Sequence, residues 1–554
     1  MLAILICVNI LASHFHYGLD LTSEKRFTLS SSTQKLLKNM NEVAVVDIYL
    51  VGKLPSDFQH LKDATAERLQ SFKEYAGKNI VFKFVDPMEG KTGQDRLATF
   101  KQLEEKGIRP IDLKRYGDED YSEKIVFPFA LVQYNGRELS VRLIEDNPSM
   151  SDAEVLNFSE TKLEYKLATA IHNLMVADRP RVAYITGNGE PLSINTIDAL
   201  TTLSYLYHLD SFDITHIAHI PDAYDAIIIN KPTLPFDDKQ KFLIDQYVMD
   251  GGHVLWMLDM VNANLDSLHT SEQLIAMDMG LNLDDMLFKY GVRVNPDLIE
   301  DNQCVQLPIM VGMKNGEPVT EKQDWIYYPE FTPTSKHPIV NNMDMILGKF
   351  VSSIDTIKDP EIKKTILLES SKYSRVAPTP ARVSLAMAKF KPTLEMLNKP
   401  YRPVAVLLEG KFKSLYQNRL PPSTLRMLDS IKHPFVAAGK ADNSMIVISD
   451  GDMMLNDYTV STGPYHLGYW HYTRQMFSNK TFVLNCLEFL TDRSGLLEAR
   501  SKQQKLRLLD EGRIKKERVE WQFVNIGIPI LLVLIFASAY VFFRKRRYEA
   551  KAVK

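Results

Sequence analysis

Apolar residues gather at both ends of this chain and in short runs between them. From Trp521 to Phe543 the sequence reads WQFVNIGIPILLVLIFASAYVFF. About 20 such residues at 1.5 Å each span a hydrocarbon layer of roughly 30 Å, so a transmembrane helix is expected over 521–543. Trp521 and Tyr540 suit the two interfaces, and Arg544, Lys545, Arg546 and Arg547 open a basic tail, 544–554, expected on the cytoplasmic side. Pro529 is compatible with a membrane helix when the carbonyl it frees finds a partner. Residues 1–17, beginning MLAILICVNILASHF, are apolar but short for a full span. They read as a second transmembrane anchor whose beginning is missing from this chain, with a cleaved signal peptide as the alternative. Two spans place both termini in the cytoplasm and residues 20–520 in the periplasm of a bacterial inner-membrane protein.

Between the anchors, two globular regions are expected. In the first, 20–177, Val43–Val51 is a β-branched apolar run and reads as a buried strand. Phe58, Leu61, Leu69 and Phe72 recur at helical spacing over Asp57–Tyr75, and Ile80–Val85 alternates as a strand that stops at Asp86-Pro87. A helix over Gln94–Glu105 follows. Val126–Tyr134 and Glu138–Ile144 flank Asn135-Gly136, whose preference for positive φ favours a two-residue hairpin. A helix over Asp152–Val176 closes the unit. The order β-α-β-α-β-β-α is that of a thioredoxin-like domain. Thiol redox chemistry is excluded, because the segment after the first strand, Val51-Gly52-Lys53-Leu54-Pro55, has no cysteine to serve as a thiolate.

The second region, 181–495, opens with the strand-like RVAYITGNGE and continues with YDAIIIN over Tyr224–Asn230. An amphipathic helix over Pro235–Met249, the pair Gly251-Gly252 and a strand over His253–Leu258 come next. That order implies parallel strands with right-handed crossovers. Further strands at Thr365–Leu368, Val404–Leu408 and Met445–Ser449, interleaved with helices, complete an α/β domain with a doubly wound parallel sheet of the class I glutamine-amidotransferase-like kind. Its ligand edge would be the strand C-termini. Leu496–Arg518, rich in Lys, Arg, Glu and Leu, predicts a helical connector over 496–520. A stiff stalk that transmits movement and an ordinary solvated helix fit it equally.

Composition narrows the chemistry. The chain has 554 residues, a net charge of −3 and 24% charged residues, which is ordinary globular composition without the basic excess of a nucleic-acid binder. Cys7, Cys304 and Cys486 are too few for a disulfide framework or a four-thiolate zinc site; Cys304 and Cys486 would be buried or paired with each other. Three loops at the strand edge carry candidate chemistry. Gly187-Asn188-Gly189-Glu190 offers backbone amides to an anion, but lacks the third glycine of a dinucleotide fingerprint and the Lys-Ser/Thr of a P-loop; a tight turn is the plainer reading. Asp450, Asp452, Asn456 and Asp457 are oxygen-rich without calcium-loop spacing, so capping and loop bonding are expected rather than a metal. His466 and His471 lack matching ligands. No Gly-x-Ser-x-Gly or cysteine elbow occurs, which leaves Asp259 as a remote candidate catalytic carboxylate. No catalytic residue, cofactor or metal site is assigned. Gly187, Asn188, Gly189, Glu190, Asp450, Asp452 and Asn456 form a candidate ligand or partner edge.

The segment Leu19-Asp-Leu-Thr-Ser-Glu-Lys-Arg-Phe-Thr-Leu-Ser30, followed by Asp86-Pro87, Thr186-Gly-Asn-Gly-Glu190, Tyr224-Asp225, the Gly251-Gly252 strand, Gly451-Asp452 with Asn456, and Asn479–Leu490, resembles the gliding-motility ABC transporter auxiliary proteins called GldG. The resemblance runs over nearly the whole chain. It implies a non-ATPase subunit in a Bacteroidetes envelope that works with a permease and a cytoplasmic ATPase. A degenerate hydrolase and a periplasmic solute-binding component are the competing classes.

Overall fold

The computed structural model describes residues 28–491 and 511–549 except 53, 107, 109, 113–124, 145–151, 177–178, 272, 315–316, 342, 390–391, 394, 431–432 and 462. The anchor expected over 1–17 and the greater part of the connector lie outside the described residues. The chain divides into two compact units, Met1–Lys502 and Gln503–Lys554.

Among the described residues, the first helix of this unit is α1 (Ser31–Lys38), whose first turn is capped by the Ser30 hydroxyl accepting the Thr33 amide. Strand β1 (Ala44–Ile48), helix α2 (Ser56–Ala76), strand β2 (Ile80–Phe84), helix α3 (Gly93–Glu105), strands β3 (Phe129–Tyr134) and β4 (Arg137–Arg142) and helix α4 (Asp152–Met175) follow. The sheet order is β2-β1-β3-β4, with β1 parallel to β2 and antiparallel to β3. Asn135 and Gly136 carry φ of 49° and 74°, as a tight hairpin between β3 and β4 requires. Phe58, Leu61, Leu69 and Phe72 of α2 are buried against β1 and α4. Among the described residues, sequence periodicity missed α1, whose eight residues offer few apolar positions, and the short strand Ile111–Asp112 that pairs with Ile125–Val126.

The second sheet has seven strands: β5 (Arg181–Thr186), β6 (His208–Asp213), β7 (Ala226–Asn230), β8 (His253–Met257), β9 (Ile362–Glu369), β10 (Pro403–Gly410) and β11 (Asn443–Ile448). Their order is β9-β10-β11-β8-β7-β5-β6, and the five from β11 to β6 are mutually parallel. Counted along the chain, these five lie in the order 2-1-3-4-5, so the strand order reverses between β5 and β7. Buried side chains alternate between the two faces of the sheet, Ala226 and Ile228 on one and Ile227 and Ile229 on the other. Helix α5 (Ile197–Leu206) joins β5 to β6, and α6 (Asp238–Met249) joins β7 to β8. Asp237 and Gln240 cap α6 reciprocally, at 2.7 and 2.8 Å.

One expectation needs correction. The sheet is mixed rather than wholly parallel: β10 is antiparallel to both β9 and β11. Antiparallel neighbours need no crossover helix, and the segment between β9 and β10 makes short strands instead. The stretch between β8 and β9 is β-rich, with two short helices, Leu265–Thr270 and Asp284–Tyr290, among its strands. Its largest feature is a hairpin of Cys304–Lys314 with Glu317–Phe331, packed around Trp325, Tyr327, Tyr328 and Trp470.

The second unit holds helix α7 (Glu511–Glu549), with Pro529 inside it. Within it, Glu520–Lys545 holds an 18-residue window of mean hydropathy 2.5, with its described side chains unburied, and is long and apolar enough to cross a membrane. Trp521 and Tyr540 lie inside that stretch, Arg544 and Lys545 at its end, and Arg546 and Arg547 continue the helix.

Candidate functional site

Parallel register fixes which side chains meet at the C-terminal edge of the second sheet. Met257 of β8 lies level with Asn230 of β7 and Ile448 of β11. Side chains alternate along a strand, so Asp259 and Asp450, each two residues beyond that level, emerge on the same face. Lys231 follows Asn230 directly with φ of 49°, a left-handed conformation that costs a non-glycine residue on the order of 1–2 kcal/mol. Its amide donates to the Met257 carbonyl at 2.8 Å. Held in that way, the Lys231 ammonium lies 2.6 Å from Asp452 Oδ1 and 3.0 Å from Asp259 Oδ2.

Three of the other carboxylate oxygens accept from backbone donors. Gly451 N–H donates to Asp259 Oδ1 at 2.6 Å, Asp452 N–H to Asp450 Oδ1 at 2.7 Å and Lys349 N–H to Asp450 Oδ2 at 2.8 Å. Gly451 is required there, since a Cβ would sit 2.5 Å from the Lys231 Cβ. Oxygens of Asp259, Asp450 and Asp452 all lie within 4.8 Å of one another, the convergence that a cation site would need. The positive charge supplied within this fold is the Lys231 ammonium.

Electrostatics follow from burial. Burial opposes the charge on Lys231, but Asp259 and Asp452 outweigh it and raise its pKa. Burial raises Asp259, with the Lys231 charge pulling the other way. Asp450, fully buried, is pushed well above the usual carboxylate range by burial and then by Asp259 and Asp452. Three carboxylates around one ammonium leave an excess of negative charge that protonation of Asp450 relieves.

Of the sequence-derived candidates, Asn456 and Asp457 turn away from this cluster. Asn456 is buried and clasps the loop before α5: its amide donates to the Asn195 carbonyl at 2.7 Å, its Nδ2 to the Ile194 carbonyl at 3.1 Å, and its Oδ1 accepts the Asp198 amide at 3.3 Å. Asp457 pairs with Lys349 Nζ at 2.6 Å. In the Gly187–Glu190 loop, Glu190 Oε2 accepts the Asn188 amide at 2.7 Å, while the Asn188 side chain is tied to Gln240 and to the Pro235 carbonyl. Thus the 187–190 and 450–456 segments lie on one edge and are joined through the loop 191–198. His466 is exposed beside Asp198, and His471 stacks on Tyr465. Cys304 and Cys486 are free thiols, Cys486 inside the core under β8.

Sequence reasoning missed Lys231 as a site residue, and had weighed Asp259 only as a catalytic group. The available signal was a lysine between a fully buried strand and Pro232, a place where a charge needs a partner.

A family model described as ABC-type uncharacterized transport system, an auxiliary component of it, matches residues 179–486, more than half of the chain and all strands of the second sheet. The chain belongs to that family. A second model, a domain of unknown function, matches residues 23–133 of the first sheet region. A Borreliella burgdorferi protein described as uncharacterized is 20% identical over 544 residues, covering 96% of this chain and 94% of its own. Among solved structures, the mmIFT52 N-terminal domain aligns at TM-score 0.31 and 12% identity over 56% of this chain and 97% of that one. An exo-beta-1,4-mannosidase from an Opitutaceae bacterium aligns at TM-score 0.18 and 10% identity over 74% and 47%. At such scores neither structure carries an argument about this fold. The family supports a transporter auxiliary role and, with the apolar stretch Glu520–Lys545, membrane association.

Proposed function

We propose that this protein is a membrane-anchored, non-catalytic auxiliary subunit of an ABC transporter required for bacterial gliding motility, working with a permease and a cytoplasmic ATPase. The observation that carries the reading is the family match over 179–486 in a chain that also has a membrane-length apolar helix. The strand edge is compatible with it: Lys231 and backbone amides hold Asp259, Asp450 and Asp452 in place. The GldG-like motif order adds gliding to the reading.

In this proposal residues 20–177 are a thioredoxin-like spacer, supported by the β2-β1-β3-β4 order, and 181–495 an amidotransferase-like body, supported by the 2-1-3-4-5 order of its parallel strands. The body lies in the periplasm, with both termini in the cytoplasm. The ten residues from Glu511 to Glu520 continue the apolar helix without a break, which favours a stiff connector over a flexible tether. The edge that holds Gly187–Glu190 and Asn456 is the partner surface, since Leu192, Ile194, Ile197, Tyr458 and Val460 around it are exposed.

Detergent purification of the tagged full-length chain tests the reading. A permease and an ATPase that remain bound in fixed ratio support it, and a chain that purifies alone under mild conditions rejects it. A glycine-serine insertion beside Gly512 tests the stalk: gliding should be lost while the complex stays assembled.

A further inference from the structure

The loop after β5 lies where an open α/β sheet holds its ligand, beyond the strand C-termini at the point where the strand order reverses. Gly187 and Gly189 have φ of 124° and 81°. Left-handed residues spaced in this way turn neighbouring amides toward one concave side, and such concavities bind anions. The loop is rigidly seated: a Cβ on Gly187 would lie 2.6 Å from Asp213 Oδ1, and one on Gly189 2.1 Å from Thr233 Oγ1. Two further hydrogen bonds, from the Thr233 and Leu234 amides to the Asn188 carbonyl, each 2.8 Å, fasten it to the loop after β7.

An anion is already present in this concavity, and it comes from the chain itself. Glu190, only 7% exposed, folds back so that Oε2 accepts the Asn188 amide at 2.7 Å, and the nearby backbone of Glu190 and Gly187 also favours its charged form. The fit is incomplete, because Oε1 is buried without a hydrogen-bond partner. A desolvated acceptor of that kind is costly, and Asp213 nearby adds repulsion. Asp213 itself is committed to the Thr215 amide at 2.8 Å and to His216 at 3.1 Å.

We propose that Gly187–Glu190 is an oxyanion cradle closed by its own glutamate, which takes a phosphate-like oxyanion when the Glu190 side chain is withdrawn. An intramolecular carboxylate acts at a high effective concentration, so free anions at millimolar levels do not displace it. The transporter assignment plays no part in this inference, which stands or falls separately.

The test is thermal unfolding of the full-length chain in detergent, titrated with inorganic phosphate against sodium chloride at matched ionic strength. The wild type should show no difference between the two salts. Glu190→Ala should melt about 3 °C higher in 20 mM phosphate than in chloride. Glu190→Gln, whose carbonyl still fills the cradle, should not respond. If Glu190→Ala does not fold, Glu190→Ser carries the same titration. A folded Ala or Ser variant indifferent to phosphate overturns the proposal. Failure of both to fold also overturns it, because Glu190 would then be a structural brace.

Discussion

Lys231 Nζ lies 2.6 Å from Asp452 Oδ1, and the same ammonium reaches Asp259 Oδ2 at 3.0 Å. One side chain therefore ties together the loops that follow three adjacent parallel strands. Lys349, from the β-rich insertion, joins the same group through its amide on Asp450.

Removing that ammonium should unmask the carboxylates. Lys231→Met is expected to cost about 3–5 kcal/mol, the usual penalty for leaving buried charge uncompensated. Lys231→Met combined with Asp259→Leu should cost less than the sum of the single changes, by on the order of 1–3 kcal/mol. Urea unfolding of the four proteins in a double-mutant cycle measures both numbers, and strict additivity would show that the pair is not coupled.

Asp450 sets a pH dependence of definite sign. Its folded pKa is raised well above the ordinary value, so between the two values the folded chain holds a proton that the unfolded chain has released. The stabilisation is fully present below about pH 3.9, the unfolded value, and is lost as pH rises through the folded pKa. Asp259, also raised, adds in the same direction. The difference in unfolding free energy between wild type and Asp450→Asn should change steadily with pH from 4 upward. A difference that stays flat with pH contradicts the buried-carboxylate argument.

The proposed topology predicts a protection pattern. Protease added to spheroplasts should cut within residues 28–491 and leave an epitope placed after Lys554 intact until the membrane is permeabilised. Digestion of the epitope in intact spheroplasts reverses the orientation.

The exposed apolar rim should matter for assembly more than for folding. Leu192→Asp, Ile197→Asp and Val460→Asp replace side chains that are 56%, 48% and 100% exposed, so each should shift stability by less than about 0.5 kcal/mol. Together they should reduce recovery of the permease with the tagged chain at least tenfold. Unchanged recovery moves the partner surface elsewhere.

Much of the fold was legible where one local rule dominated. YDAIIIN could only be a strand buried on both faces, Asn135-Gly136 could only be a tight turn, and the stretch after Trp521 was apolar for longer than a globular core uses. The edge strand β6, HLDSFD, escaped because one of its sides faces water and its side chains are mostly polar. The antiparallel β10 escaped because direction is not written in a single strand's apolar pattern; it depends on what the chain does between strands.

The candidate site divides along the same line. Gly187, Glu190, Asp450 and Asp452 were visible as loop residues after predicted strands, since a parallel sheet places such loops on one edge whatever its side chains. The pairing of Lys231 with Asp259 and Asp452 was not visible, because Gly451 and Asp259 meet across 192 positions of sequence and only strand register brings them level. By itself the sequence determined the membrane-length helix, the two α/β regions and the absence of known catalytic motifs, all of which depend on neighbouring residues. Tertiary structure alone decided that the cradle and the carboxylate cluster are filled from within, by Glu190 and Lys231. Charge compensation acts through a few ångströms of space and takes no account of chain distance.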